Sequence, residues 1–329
     1  SEMCIRDSYM RYSSEVEAFG IDESWIELTG SPLLKERTPH EIADEIRNTV
    51  KSEVGLTVSI GISFNKIFAK LGSDMKKPDA VTEIGRDTFR DQVWPLPVSD
   101  LLYVGRATAE KLGRYCIRTI GDLANTERDI LRSLLGINGE KIWAYANGLD
   151  ASRVMPCDYT PPIKSIGHGI TCTADLVSES EVRGVFLELS QDIGLKLRKQ
   201  GLAANGVRIT VRDNTLSHRQ YQCKLPFPTQ SYLEIYDAGI DLFHRRYSWS
   251  NNIRSLTISA IDLISADTPV QLDLWTDMSK HKRRIRLEET IEDIRRRFGL
   301  HAINFAAAGS MKIPVQSDIE YKMPSVMYQ

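Results

Sequence analysis

Asp22 and Glu23 are adjacent acids at the centre of a short polar stretch, IDES, with β-compatible residues on both sides. On a straight strand their side chains would point to opposite faces, but in a tight turn they converge. Convergent carboxylates bind hard divalent cations. Magnesium requires oxygen ligands in near-octahedral geometry, and two such ions roughly 3.5–4 Å apart can stabilise both an attacking and a leaving oxygen. A solvated surface turn uses the same residue types, and 44 Asp and Glu make adjacent acids common by chance. The pair alone leaves both readings open. Soft-metal and disulfide chemistry are not indicated: the five cysteines (Cys4, Cys116, Cys157, Cys172, Cys223) are odd in number, far apart and never spaced CxxC, and the six histidines show no ligand spacing.

The elements that would position the acids can be read around them. VEAFG and WIELTG predict a strand on each side of the turn. A helix follows, with Thr38 as N-cap, Pro39 near its first position, and Ile42, Ile46 and Val50 as an apolar stripe ending before Gly55. Leu56 to Ile62 is a β-branched run that predicts a strand, after which Ser63 can cap a second helix through Gly72. Strand, helix, strand, helix is α/β. Pro95 and Pro97 mark a boundary, and the segments Leu101 to Ala124 and Ile130 to Gly148 read as short helices. Pro156, Pro161 and Pro162 form a stiff connector.

Beyond the connector the predicted order is βαββαβ, a compact α+β module. Ile163–Asp175 is its first strand, and Glu179–Gln200 a helix with Val182, Val185, Phe186, Leu189, Ile193 and Leu197 on one face. Val207–Asp213 alternates strictly, Ser217–Lys224 stops before Pro226, a second amphipathic helix carries Tyr232 to Tyr247, and Ser255–Leu263 closes the unit. Residues 265–279 lack periodicity, and Lys280 to Phe298 reads as a charged terminal helix.

At 329 residues, with 42% hydrophobic and 26% charged residues, the chain has ordinary globular composition and enough length for two or more domains. No stretch approaches the ~18 consecutive apolar residues of a membrane span, and the start lacks the zones of a signal peptide, so a cytoplasmic protein is expected. Residues 1–97 carry 12 Lys and Arg against 17 Asp and Glu, and the remainder 30 against 27. An acidic portion followed by a mildly basic one suits metal binding in the first and phosphate contact in the second. Ser1 to Ser8 show no periodicity and read as an artefactual or truncated start.

Two strings carry a family resemblance. AFGIDESWIELTG resembles the second carboxylate motif of Y-family, lesion-bypass DNA polymerases, a Ser-Ile-Asp-Glu turn between palm strands, with Gly20 in place of the serine. VSIGISFNKIFAKLGSDMKKP, from Val58 to Pro78, resembles the same family's palm motif, including its NKxxAK and SDxxKP elements. By that resemblance Asp22 and Glu23 are catalytic metal ligands for two magnesium ions. Lys77, otherwise an exposed helix-end lysine, contacts the triphosphate of the incoming nucleotide. Asn65 and Lys66 match the pattern too and are expected to be structural support.

The resemblance continues along the chain. LLYVGRATAEKLGRYCIRTIGDLA is similar to the helix-hairpin-helix of the family's thumb, which presents backbone N–H groups to a DNA phosphate through Gly105, although Tyr103 stands where the first glycine is usual. KSIGHGITCTADL looks like the first strand of the little finger, and Lys164, Arg208, Arg212 and Arg219 on its strands imply contact with a duplex backbone. Gln271, Leu272, Leu274 and Trp275, with Asp273 between them, resemble the bacterial sliding-clamp-binding pentapeptide.

The implied architecture is an α+β multidomain protein: partial palm at 1–97, thumb and linker at 98–162, little finger at 163–264, and clamp-binding tail with terminal helix at 265–329. The implied partners are primer–template DNA, deoxynucleoside triphosphates and a sliding clamp, with no membrane and a monomeric state. Family members begin with a strand bearing a further metal-binding aspartate, then the fingers, and no such string precedes Asp22 here. The expectation is a translesion polymerase when intact and an inactive 329-residue chain. The rival reading is a non-catalytic DNA- and clamp-binding protein; coding sequence upstream of Tyr9 with an Asp-x-Asp strand favours the enzyme, and an in-frame stop favours the rival.

Overall fold

The computed structural model describes residues 2–269, 278–299, 302–303 and 305. They fall into two compact units that divide between Pro161 and Pro162.

The first unit opens with helix α1 (Glu2–Tyr9), although this stretch shows no periodicity. So short a helix is marginal alone; here Ser8 is buried and Arg6 donates to the Cys157 carbonyl, so tertiary contact supplies what periodicity did not. Strands β1 (Val16–Ala18) and β2 (Ser24–Ile26) form the antiparallel hairpin, with Glu17 opposite Trp25, and the Phe19 N–H donates to the Glu23 carbonyl at 2.8 Å across its mouth. Helix α2 (Pro39–Val54) begins in a capping box between Thr38 and Glu41, buries Ile42, Ala43, Ile46 and Val50, and ends at Gly55 with φ +73°.

Strand β3 is shorter than expected, Ile60–Ser63, and the residue capping α3 (Lys66–Met75) is Asn65 rather than Ser63. Both can cap a helix. The competition is decided by β4 (Val81–Ile84), which sequence reasoning missed: it runs parallel to β3, and the Ser63 hydroxyl donates to its Ile84 carbonyl while Asn65 Oδ1 accepts from the Phe68 N–H at 2.8 Å. Helix α3 lies close on β3, since a β-carbon on Gly61 would fall 1.9 Å from the Ala69 carbonyl oxygen. Five short helices follow: α4 (Phe89–Val93), α5 (Arg106–Gly113), α6 (Ile120–Asn125), α7 (Arg128–Leu135) and α8 (Ile137–Ala146). Their Leu112, Ile120, Leu123, Leu131 and Ile142 share one core with Phe68, Ile84 and Phe89.

The second unit is the βαββαβ module: β5 (Ser165–Leu176), α9 (Glu179–Lys199), β6 (Leu202–Asp213), β7 (His218–Thr229), α10 (Tyr232–Arg246) and β8 (Ile253–Ser265). The antiparallel sheet has the order β5-β8-β6-β7. Val182, Phe186, Leu189 and Ile193 of α9 and Ile235 and Phe243 of α10 pack with Val207, Ile209 and Val211 of β6 and Leu256 and Ile258 of β8. Strand β7 runs on through Pro226 and Pro228, beyond the expected stop. An edge strand tolerates prolines because one row of its N–H groups has no ladder partner, and the register shift at Ala204 and Gly206 of β6 accommodates them. Helix α11 (Met278–Phe298) extends the expected terminal helix by two residues and is held to α9 and α10 by ion pairs. No described helix is long and apolar enough to cross a membrane.

Candidate active site and nucleic-acid interface

The hairpin is pinned to α3 from both ends. On one side the Lys66 ammonium lies 2.7 Å from both oxygens of Glu17 on β1 and 4.4 Å from the Trp25 ring centre, and the Trp25 indole donates to the Lys66 carbonyl at 3.0 Å. On the other, Lys70 Nζ lies 2.9 Å from Glu23 and 2.6 Å from Asp74, and Lys77 Nζ lies 2.7 Å from Asp74. Lys70, Asp74 and Lys77 fall at i, i+4 and i+7, one stripe of α3 and its end. Burial acts to lower the Lys70 pKa, but its hydrogen bonds to Asp74 and Glu23 outweigh that and hold the ammonium above its ordinary range. Burial likewise acts to raise Asp74, and Lys70 and Lys77 overcome it, keeping that carboxyl below its ordinary range.

Asp22 is exposed at the turn and, among the described residues, carries no ion pair. The two carboxylates therefore differ: Glu23 is tethered by Lys70, and Asp22 presents its oxygens to solvent. Their oxygen donors suit a hard cation, and they fit magnesium as part of a ligand set, for among the described residues no cluster of three or more His, Cys, Asp or Glu gathers there. Both line a cavity of about 1020 Å³ whose walls include Phe19, Trp25, Tyr103 and Tyr145. Lys77, expected to meet a triphosphate, is linked to the carboxylate turn through Asp74 and Lys70, and is 56% exposed. Asn65 and Lys66 have the supporting roles expected of them; Asn65 Nδ2 also donates to the Gly148 carbonyl at 3.3 Å.

Gly105 is the N-cap of α5 with φ −76°, a value open to any residue. The left-handed position in that turn belongs to Tyr103, at φ +70°.

In the second unit, strand alternation sorts the predicted basic residues. With Val207, Ile209 and Val211 turned to the helices, Arg208 and Arg212 lie on the opposite, open face. Register places Arg208 between Ser259 and Gln222, Thr210 between Thr257 and Gln220, and Arg212 between Ser255 and His218. Gly167, Gly169 and Thr171 of β5 continue these rows beyond β8. The open face is thus polar throughout and low over β5 and β8, and at Gly167 and Gly169 a β-carbon would come within 2.3 and 2.2 Å of the Ser259 and Thr257 hydroxyls. Lys164 is exposed just before β5. Arg219, however, pairs opposite Val211 and so projects on the helix side, away from Arg208 and Arg212. Gln271, Leu272, Leu274 and Trp275 lie outside the described residues.

Sequence reasoning passed over Lys70, although it closes the NKxxAK string and stands four residues before Asp74, a readable helical ion pair. The rows of Gly, Ser and Thr were invisible because cross-strand neighbours come from register and not from local sequence.

Comparison with known proteins adds an independent line. Residues 3–74 match the impB/mucB/samB family and residues 163–274 its C-terminal domain. The DNA polymerase IV of Acetivibrio thermocellus is 41% identical over 298 residues, covering 91% of this chain and 74% of that protein, and the DNA polymerase IV of Clostridium kluyveri is 33% identical, covering 88% and 73%. Among solved structures, a chimeric Y-family DNA polymerase superposes with a TM-score of 0.65 at 18% identity, covering 80% of this chain and 75% of that one, a likeness of fold. With the carboxylate hairpin, its pinning helix and the βαββαβ module in place, these relationships establish that the chain belongs to the Y family of DNA polymerases, in its DNA polymerase IV branch.

Proposed function

We propose that the intact protein copies DNA past damaged bases, transferring nucleotides from deoxynucleoside triphosphates to a primer 3′ end. The observation that carries this reading is the carboxylate turn tethered through Glu23 to Lys70, on a helix that leads to Lys77. Magnesium, when bound, stabilises the charge that develops on the attacking and leaving oxygens. Asp22 and Glu23 supply carboxylate oxygens to it, and Lys70 fixes the orientation of the Glu23 carboxylate as an outer partner orients a metal ligand. Lys77 exchanges its exposed contact with Asp74 for triphosphate oxygens, acting as a point charge.

No protein nucleophile is required, because the primer's own 3′ oxygen attacks in line. The turn before α5, with Gly105, and the open sheet face with Lys164, Arg208 and Arg212 hold duplex phosphates without reading sequence. Low Gly, Ser and Thr side chains on that face let a sugar-phosphate backbone approach closely. Arg219, on the other side, takes no part. The segment Gln271–Trp275 docks on a sliding clamp through Leu274 and Trp275, with Gln271 supplying oriented hydrogen bonds and Leu272 a lesser contact; replacing both anchors by Ala should abolish clamp binding at a cost of ~2 kcal/mol or more for each. The protein works as a cytoplasmic monomer.

Primer extension by the intact protein tests the reading. Glu23→Gln should abolish synthesis and leave primer–template affinity unchanged, since it removes a metal ligand and no phosphate contact. Wild-type extension rates in that variant would refute the assignment.

A further inference from the structure

In the string LLYVG, glycine and tyrosine sit at each other's natural backbone positions. Tyr103 has φ +70°, in the left-handed region that a β-carbon disfavours, whereas Gly105 at φ −76° makes no use of its freedom. A bulky residue persists in such a conformation only where its surroundings hold it, and strain of this kind points to function. The Tyr103 ring is braced by Tyr145 of α8, with centres 5.8 Å apart and planes at 35°. It is not thereby buried: Tyr103 remains 51% exposed and lines the cavity that holds Asp22 and Glu23. Burial, and then the charges of Asp150 and Glu17, push the phenol up, so the ring stays neutral in the working pH range.

We propose that Tyr103 is a positioning residue for the primer strand: its ring, braced by Tyr145, packs on the deoxyribose of the terminal nucleotide and holds the primer's 3′ end toward the Asp22–Glu23 turn. The deoxyribose presents the same apolar surface whatever the base, so such a contact tolerates all primer sequences and leaves the face of the terminal base free for the incoming nucleotide. The proposal rests on the polymerase reading given above and adds to it a residue that stands where the Gly-x-Gly hairpin turn would have its first glycine.

The test uses the intact protein carrying Tyr103→Gly, Tyr103→Asn or Tyr103→Phe. Affinity for a fluorescein-labelled primer–template duplex is read by anisotropy, single-nucleotide extension by steady-state kinetics, and folding by thermal melting. Removing the ring should weaken duplex binding roughly tenfold in the Gly and Asn variants, raising KM for the primer terminus while kcat at saturating duplex is retained. Tyr103→Phe should bind as wild type. The thermal midpoint of the Gly variant should match or exceed that of wild type, because glycine accepts the left-handed backbone. Unchanged duplex affinity in both ringless variants overturns the proposal. An affinity loss shared by Tyr103→Phe also overturns it, assigning the effect to the hydroxyl, and so does a lowered midpoint in both ringless variants, assigning the ring to hairpin packing. Failure of the wild-type protein to extend a primer would instead count against the polymerase reading, and the anisotropy series would still decide the part of the ring in duplex binding.

Discussion

Each unit contains a cluster of carboxylates and cations, and the two are built to opposite ends. In the first unit Glu23, Lys70, Asp74 and Lys77 form an open chain whose side chains are 36%, 15%, 45% and 56% exposed. In the second, Arg198 bridges from α9 to Glu288 and Glu292 of α11, and Glu288 is fully buried. Glu288 is saturated: it accepts from the Ser231 hydroxyl at 2.5 Å, the Tyr232 N–H at 3.0 Å, the Leu233 N–H at 3.2 Å and Arg198 at 3.1 Å. It thus caps the start of α10 from another helix, where the helix dipole favours negative charge. A saturated carboxylate has no capacity left for a ligand and serves to dock α11. An open one with a single tether keeps oxygens available, and that is what separates a site from a staple.

The largest effect should come from breaking the buried cluster. Glu288→Ala leaves Arg198 half-paired and the α10 N–H groups without their acceptor, and should destabilise the second unit by about 3–5 kcal/mol. Urea melts that resolve that unit's transition measure this, and a loss below about 1 kcal/mol would make the cluster no different from a surface ion pair.

Lys70→Ala in the first unit should do the reverse. It frees Glu23 to reorient, lowering primer extension by the intact protein about 10–100-fold, the range seen for outer partners of metal ligands. Its stability cost should stay at about 1 kcal/mol, because the carboxylates left behind, Glu23 and Asp74, are 36% and 45% exposed and regain water. Kinetics and melts on the same preparation separate the two effects.

A third comparison sets the two faces of the sheet against each other. Arg208→Ala with Arg212→Ala should reduce the slope of log affinity against log salt for duplex DNA by about 2, near 1 for each phosphate that no longer meets a guanidinium. Arg219→Ala, on the helix side, should leave the slope unchanged. Equal effects from Arg212 and Arg219 would show that the face assigned by register is not the one DNA uses.

The smallest effect is in pH. Burial pushes the Glu288 carboxyl up, against the pull of Ser231, Leu233, Tyr232 and Arg198. With a raised folded-state pKa, its contribution to stability is full below the ordinary carboxylate range and is lost as pH rises through the folded value. Asp74 is held low by Lys70 and Lys77 despite burial, so its contribution is present above the ordinary range and lost as pH falls. The stability difference between wild type and Glu288→Gln should therefore favour wild type more at about pH 4 than at about pH 7, and that between wild type and Asp74→Asn should run oppositely.

Much of this architecture was legible because the signals were long or redundant. The apolar stripe of α9 covers six positions, β6 alternates strictly, and Thr38 and Pro39 both mark the start of α2. What was not legible depended on partners distant in sequence. Ser63 and Asn65 are equally good caps until β4 offers the Ile84 carbonyl to one of them. Pro226 ends a central strand but not an edge strand, and only the sheet order says which β7 is. Arg219 looks like Arg212 until pairing with Val211 turns it over. In the site, Asp22 and Glu23 were readable as acids in a turn, but the tether that distinguishes them comes from a lysine 47 residues further on.

The central claim, that the open cluster acts in catalysis and the closed one in folding, is tested most directly by a crossed measurement on the intact protein: primer extension and thermal midpoint for Glu23→Gln and Glu288→Gln side by side. The account predicts that Glu23→Gln eliminates extension with an unchanged midpoint, and that Glu288→Gln lowers the midpoint while extension well below it proceeds at the wild-type rate. Extension by the Glu23→Gln protein at the wild-type rate, or an unchanged midpoint for Glu288→Gln, would contradict it.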